Sequence, residues 1–414
     1  MCAGALALTV LPATTNVTFG GDSGPEDDIA RIPVRERQHP EFEPIGYRVG
    51  PIFFLPRLTS SVLYNSNVFA SPINPRSDFA AVFSPQLLVR ADHSRFRYDL
   101  DFGADIYRFR KFTREDRVNA HARYRGQNEL ARDLTLDTSA EIARKHEIRG
   151  EASSPLDAAR PVPYTDMRAE AALNKTFNRF GVAVGVTGRR LEFENVESVS
   201  GGIIDLGWRN GTILTAYAKP SYEFSPGYRA FVRGRINNRD YAGEGDLNRD
   251  SHGYDLRGGV DFEITPLVWA TLEVGHMRQS YANAFIAPVS GPSYLAKAQW
   301  LATPLMTFSA SVERSLAETT SPEFDGRIDT AFGGRVDYEL LRNVILFGET
   351  KYIQQDFRGT ARKDDVTKIS AGGDYLMNRF ARLGVRYDYI ERASTIPTFS
   401  FDQHVVTFNV TAQY

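Results

Sequence analysis

From Val406 to Tyr414 the chain alternates strictly. Val406, Phe408, Val410, Ala412 and Tyr414 fall on one face, and Thr407, Asn409, Thr411 and Gln413 on the other. Alternation with a period of two is the mark of a β-strand with one apolar and one wet surface. A soluble edge strand reads the same way, so the assignment depends on whether the pattern recurs.

It recurs through almost the whole chain. Phe96, Tyr98, Leu100, Phe102, Ala104 and Ile106 oppose Arg97, Asp99, Asp101, Gly103 and Asp105. Val118, Ala120, Ala122 and Tyr124 oppose Arg117, Asn119, His121, Arg123 and Arg125. Tyr228 to Asn237, Arg327 to Glu339 and Arg382 to Tyr389 repeat the arrangement, with Arg229, Arg233, Arg235, Arg327, Arg335, Arg382 and Arg386 on the polar side. Each run is roughly ten residues or more, the length a tilted strand needs to cross a bilayer core.

The connections predict the topology. Short turns are expected at Ala91 to Ser94, Lys175 to Arg179, Ser225 to Gly227, Thr265-Pro266, Thr303-Pro304, Leu341 to Asn343 and Met377 to Arg379. Gly, Pro, Asn and Asp suit most of them. Longer polar connections separate them: Asn65 to Arg76, His146 to Pro163, Glu192 to Arg209, Asp240 to Ser251, Ser280 to Pro292, Gln354 to Asp364 and Glu391 to Ser400. Alternating short and long connections are a habit of outer-membrane barrels, whose periplasmic turns are short. The reading is an all-β fold: a single transmembrane antiparallel β-barrel of about eighteen strands. It starts near Phe53, ends at Tyr414 and has both termini in the periplasm, with the segments near Ser60 and Leu206 least regular.

Composition agrees. The chain is 42% hydrophobic, its mean hydropathy is negative, and no apolar run approaches the roughly eighteen residues of a transmembrane helix. Its apolar faces are rich in Ala, Gly and Val. Hydrocarbon tolerates such small side chains, whereas a packed protein core needs larger ones to fill it. Two regions follow: a leader at residues 1–48 and a barrel at 49–414. Met1 to Val17 has a short apolar stretch from Ala5 to Leu11 and reads as a signal-peptide remnant or a bland leader. Gly20 to Glu43 is rich in Gly, Pro, Asp and Glu, and disorder in the periplasm is expected.

Candidate catalytic and metal chemistry is weak. Gly21-Asp22-Ser23-Gly24 echoes a protease nucleophile segment but lies in the leader with no matching His or Asp context. Asp246, Asn248 and Asp250 begin like a calcium loop, yet Ser251 and Arg257 stand where that motif needs Gly and Glu. The seven His show no paired spacing, and Cys2 is the only cysteine. No catalytic residue, metal site or cofactor is predicted, and a net charge of −2 does not suggest nucleic acid.

The polar face is the remaining chemistry. Charges turned to lipid would cost several kcal/mol each at mid-depth, so they are expected to line the interior. The predicted pore-lining residues are Arg97, Asp99, Asp101, Arg117, Arg123, Arg125, Arg229, Arg233, Arg235, Arg257, Arg327, Arg335, Arg382 and Arg386. Arg168 and Arg189 join them, with Asp105, Asp137, Glu141, Glu170, Asp255, Asp261, Asp329, Asp337, Asp374 and Asp388 interleaved. The bland alternative is a cross-strand ion-pair ladder that only holds the wall. Arg123, Arg125, Arg233 and Arg235 are the stronger functional candidates, since two neighbouring inward positions on one strand both carry Arg. Such a stripe favours anionic or sugar-acid solutes.

Two resemblances add to this. A terminal amphipathic strand closing on an aromatic resembles the assembly signal of bacterial outer-membrane barrels. Ser61 to Ala70, Ser77-Asp78-Phe79 and Phe83-Ser84-Pro85 resemble the first hairpin of the β-barrel porins of proteobacteria, often found beside exopolysaccharide or capsule export systems. The resemblance covers Gly50 to Tyr414. It implies an outer-membrane conduit for hydrophilic solutes or polysaccharide, bedded in outer-membrane lipid. The implied partners are the barrel assembly machinery, through the strand ending at Tyr414, and periplasmic polysaccharide-export components. A structural or adhesive barrel with a closed lumen, or a barrel enzyme, stays open at this stage.

Overall fold

The computed structural model describes residues 32–317 and 324–414. The leader up to Arg31, including Cys2, the signal-like stretch and Gly21 to Gly24, lies outside them. Eighteen strands dominate. The first six are β1 (Ile52–Asn65), β2 (Asp78–His93), β3 (Phe96–Phe109), β4 (Arg117–Ala131), β5 (Leu134–His146) and β6 (Pro163–Phe177). Next come β7 (Phe180–Phe193), β8 (Gly211–Ser225), β9 (Tyr228–Tyr241), β10 (Ser251–Thr265), β11 (Val268–Tyr281) and β12 (Val289–Thr303). The last are β13 (Met306–Ala317), β14 (Gly326–Leu341), β15 (Val344–Arg358), β16 (Lys363–Asn378), β17 (Ala381–Ser394) and β18 (Phe401–Gln413).

Each strand pairs antiparallel with its neighbour in sequence. The ring closes where β18 pairs with β1, from Arg57 opposite Gln413 to Asn65 opposite Val405. Closure leaves no open edge along that seam, as a sheet in hydrocarbon requires. At one rim two-residue turns join the strands, for example at 94–95, 132–133, 178–179 and 379–380. Beside six of these turns one strand carries a register shift, as between Glu339 and Leu341. At the other rim the connections lengthen, to sixteen residues at 147–162 and seventeen at 194–210. Both ends of the barrel chain lie at the short-turn rim, because Ile52 pairs with Ala91 beside the first turn and Ala381 pairs with Ala412. The region near Leu206 lies outside the barrel wall: Val196–Glu197 and Ile203–Ile204 form a small hairpin above β7 and β8.

The apolar face points outward. Leu100, Val118, Val232, Leu256, Val274, Phe332 and Val385 are all exposed in the isolated chain. A contiguous exposed apolar band of this kind marks a surface that meets lipid. Aromatic rings collect next to the short turns, in the pairs Phe180–Tyr222, Trp300–Phe308 and Phe380–Tyr414 with centroids 4.7, 5.4 and 6.1 Å apart. Amphipathic rings belong at the depth of the lipid headgroups.

Candidate pore interior

Register places the predicted charges together on the inner face. Asp99 stands opposite Arg125, and Asp101 opposite Arg123. Arg123 in turn faces Glu141 on β5, and its guanidinium reaches Asp101 at 3.4 Å and Glu141 at 3.3 Å. Arg233 donates to Glu273 two strands away. Glu273 also sits 3.7 Å from Arg257, itself 2.7 Å from Asp255.

Much of the ladder runs along strands as well as between them. Arg257–Asp255, Arg327–Asp329, Arg335–Asp337, Arg386–Asp388 and Arg168–Asp166 all pair residues two apart on one strand, at 2.6 to 2.9 Å. Side chains two apart share a face, and many of these guanidinium groups add a second partner on a neighbouring strand, as Arg335 does with Glu349 at 2.9 Å. The wall ladder expected as the bland alternative therefore accounts for most of the charge. Among the four arginines singled out from the sequence, Arg123 and Arg233 are consumed by it, whereas among the described residues no carboxylate forms an ion pair with Arg125 or Arg235. Arg229 likewise has no ion pair among the described residues. Arg97 pairs with Asp92 at the exposed short-turn rim, and Arg117 stacks on Tyr107, 4.2 Å from the ring centroid, near the long-loop rim.

Both mouths hold polypeptide. At the short-turn end, Val34 is fully buried and its N–H donates to Thr307 Oγ1 at 3.1 Å. The Arg37 guanidinium meets Glu339 at 2.5 Å, with both side chains nearly buried. Further along, the carbonyl of Phe42 accepts from Arg382 at 3.4 Å and from Gln413 at 3.2 Å. Residues 32–43 thus cross from β13 and β14 to β17 and β18. The expected disorder does not hold for this part of the leader: burial of Val34 and the Arg37–Glu339 pair fix it in place. Arg382 serves as an anchor for that segment.

At the opposite end the 147–162 connection reaches across from β5 and β6. Its base is fastened by Glu147 to Arg209, a buried pair whose second contact is 3.2 Å, and by Arg149 to Glu115 at 2.5 Å. Ala158 and Val162 pack with Val196 and Leu206. The tip touches the far wall, where Arg392 on β17 donates to the Gly150 carbonyl and Ala152 packs with Phe324 and Phe357. Sequence reading marked this segment only as a long loop.

The 66–77 connection also turns inward. Asn67, buried, donates to the carbonyls of Ser71 and Asp402 at 2.9 and 3.0 Å, and Val68 packs on Ala80, Val82, Tyr107 and Phe109. The residues that carried the family resemblance are therefore architectural. Asp250 caps its own turn, accepting from the Tyr241 N–H at 2.7 Å while its N–H donates to Asn248 Oδ1 at 2.9 Å. Among the described residues no group of three metal-ligating side chains is found, and no helix is long and apolar enough to cross a membrane.

A closed eighteen-strand barrel with a lipid-ready exterior and a charged interior is a porin-type outer-membrane barrel. Residues 39–414 match the model of the family described as "Putative beta-barrel porin 2", and the chain belongs to that family. No match is found among curated proteins. Among solved structures the chain is similar to the siderophore receptor PiuA from Acinetobacter baumannii, at 9% identity and a TM-score of 0.50, covering 89% of this chain and 82% of that one. It is also similar to OpdL of Pseudomonas aeruginosa, at 12% identity and a TM-score of 0.45, covering 88% and 99%. At such identities the likeness concerns the fold alone.

Proposed function

We propose that the protein forms a water-filled channel for hydrophilic solutes across a bacterial outer membrane, with the short-turn rim in the periplasm. The observation that carries this reading is the charged inner wall of a barrel wide enough for an aqueous lumen. Arg123, Lys368 and Arg386 retain 31%, 27% and 27% of their side-chain exposure there, so the ladder is wet. Unpaired Arg125 and Arg235 bias the interior toward anionic solutes such as sugar acids. The finer reading, a conduit for exopolysaccharide working with periplasmic export components, draws on the family resemblance.

Planar-bilayer recordings of the purified protein test the channel. Stepwise conductance with anion preference supports it, and a silent, folded protein under all conditions overturns it. The second reading, a structural barrel with a closed lumen, has its own support in the polypeptide crossing both mouths, and silence would favour it. On either reading the protein is a barrel without a catalytic role. Its assembly is proposed to run through the outer-membrane insertion machinery, by way of the strand ending at Tyr414.

A further inference from the structure

We infer that the 147–162 connection is a hinged lid over the long-loop mouth, latched by its tip and released when Glu151 ionises. The inference rests on the channel reading for its consequence in transport, but the movement itself is tested separately below.

The two halves of this segment are held differently. Its base carries two ion pairs to rim residues, Glu147–Arg209 and Arg149–Glu115, together with the apolar packing of Ala158 and Val162. Among the described residues, the tip at 150–153 carries one side-chain hydrogen bond to the barrel wall, from Arg392 to the Gly150 carbonyl, and one alanine methyl among two rings. Gly150, whose carbonyl takes that bond, is the first residue of the tip and stands at φ +81°, a conformation that glycine adopts freely. A Cβ there would lie 2.6 Å from Phe401 and 2.8 Å from Ala70, so the latched tip also requires the absence of a side chain. A firm base, a glycine and a lightly held tip make up a hinge.

Glu151 sits within the tip. The charged groups that face it come from every side: Glu147 on the same segment, Arg209 from beyond the small hairpin, Arg327 on β14, Arg392 on β17, and the hydroxyl of Tyr164 on β6. The three arginines are already engaged, Arg209 with Glu147, Arg327 with Asp329 at 2.8 Å, and Arg392 with Gly150 and, at 3.8 Å, Asp364. Glu151 as a whole is only partly buried, but loss of water around its carboxyl, then the neighbouring Glu147 carboxylate, push that carboxyl up to about 7. The latched state therefore binds this proton more tightly than the released state, where an ordinary carboxyl titrates near 4.5. Protonation stabilises the latch at acidic pH, and that contribution is lost as pH rises through about 7. The lid is closed in acid and freer above neutrality.

The test uses the full chain with Cys2→Ser and a single new thiol, Ala152→Cys, reconstituted in liposomes and probed with a maleimide. Labelling is expected to be slow at pH 5.5 and about tenfold or more faster at pH 8.5 after correction for thiolate content, the sense that a raised carboxyl pKa dictates. Leu156→Cys, at an exposed position of the same segment, supplies that correction. Adding Glu151→Gln, which cannot ionise, should keep labelling slow at pH 8.5. Ser153→Cys replaces Ala152→Cys if the latter does not give a heat-modifiable barrel. Corrected rates that are equal at both pH values overturn the lid, as does a Glu151→Gln variant that labels as fast as its parent at pH 8.5. Labelling that follows the prediction in a protein that never conducts upholds the moving lid and removes the channel reading instead.

Discussion

Arg123 and Arg125 lie two residues apart on the inner face of β4, yet only Arg123 has acidic partners, Asp101 on one side and Glu141 on the other. The same division separates Arg233, which meets Glu273, from Arg235 on β9. An arginine neutralised by two carboxylates adds little field to the lumen. One standing alone leaves its full charge facing the solute.

Replacing Arg125 and Arg235 by Ser should therefore lower anion preference while leaving thermal stability almost unchanged. Replacing Arg123 and Arg233 should do the reverse, because Asp101, Glu141 and Glu273 each lose a partner and keep only His121 at 3.5 Å, Lys145 at 3.6 Å and Arg257 at 3.7 Å. Removing one partner of a well-buried pair typically costs about 3–5 kcal/mol. Arg123 and Arg233 are partly wet, so a smaller loss is expected. Reversal potentials in a salt gradient, taken beside unfolding curves, separate the two pairs. An unmoved reversal potential in conducting R125S/R235S protein would exclude both residues as selectivity determinants.

The segment in the short-turn mouth makes a second prediction. Arg37 and Glu339 are only 8% and 6% exposed at their side chains, so Glu339→Ala leaves a buried guanidinium without its partner. The segment should detach while the barrel stays closed and heat-modifiable. Trypsin would then cut after Arg37 in the variant but not in its parent, and single-channel conductance would rise. Persistent resistance at Arg37 would show that Val34 and Phe42 hold the segment without the ion pair.

Strand number, facing and connection lengths were legible because lipid on one side and water on the other impose a strict period of two. Leu100 cannot change places with Asp101 without putting a charge in hydrocarbon. The pairing of the inward charges was only half legible. Arg-Ile-Asp at 327–329, Arg-Val-Asp at 335–337 and Arg-Tyr-Asp at 386–388 spell out same-strand pairs, whereas the Arg233–Glu273 contact depends on register across two hairpins. What fills the mouths was not legible at all. Arg37 sits 302 positions from Glu339, and Gly150 sits 242 from Arg392. Nothing in the local pattern around these four residues distinguishes an inward loop from a solvated one. The segment near Leu206 was irregular in the sequence for a related reason, since the hairpin of Val196–Glu197 and Ile203–Ile204 packs on the rim and not in the wall.

Gly150→Val should unlatch the lid at every pH. The backbone at φ +81° disfavours a β-branched side chain by on the order of 1–3 kcal/mol, and the new Cβ would meet Phe401. Maleimide access at Ala152→Cys should then lose its pH dependence and stay fast, with stability of the barrel little changed. A variant that still labels slowly at pH 5.5 would show that the tip tolerates the substitution and that the hinge lies elsewhere.

The seam between β18 and β1 carries the last prediction. Removing Phe408 to Tyr414 deletes the pairs from Arg57–Gln413 to Val62–Phe408 and the Phe380–Tyr414 stack, together with the bond from the Tyr414 N–H to the Pro56 carbonyl at 3.1 Å. What remains of β18 faces β1 only at Leu63, Tyr64 and Asn65. Most of the β1 edge, and the matching edge of β17, would then stand in hydrocarbon with unpaired N–H and C=O groups, each costing several kcal/mol where no water can reach. A closed barrel should not form. The truncated chain is expected to be absent from outer-membrane fractions, to migrate alike before and after heating, and to be degraded by protease. A heat-modifiable, protease-resistant product would mean that β1 and β17 can close the ring between themselves.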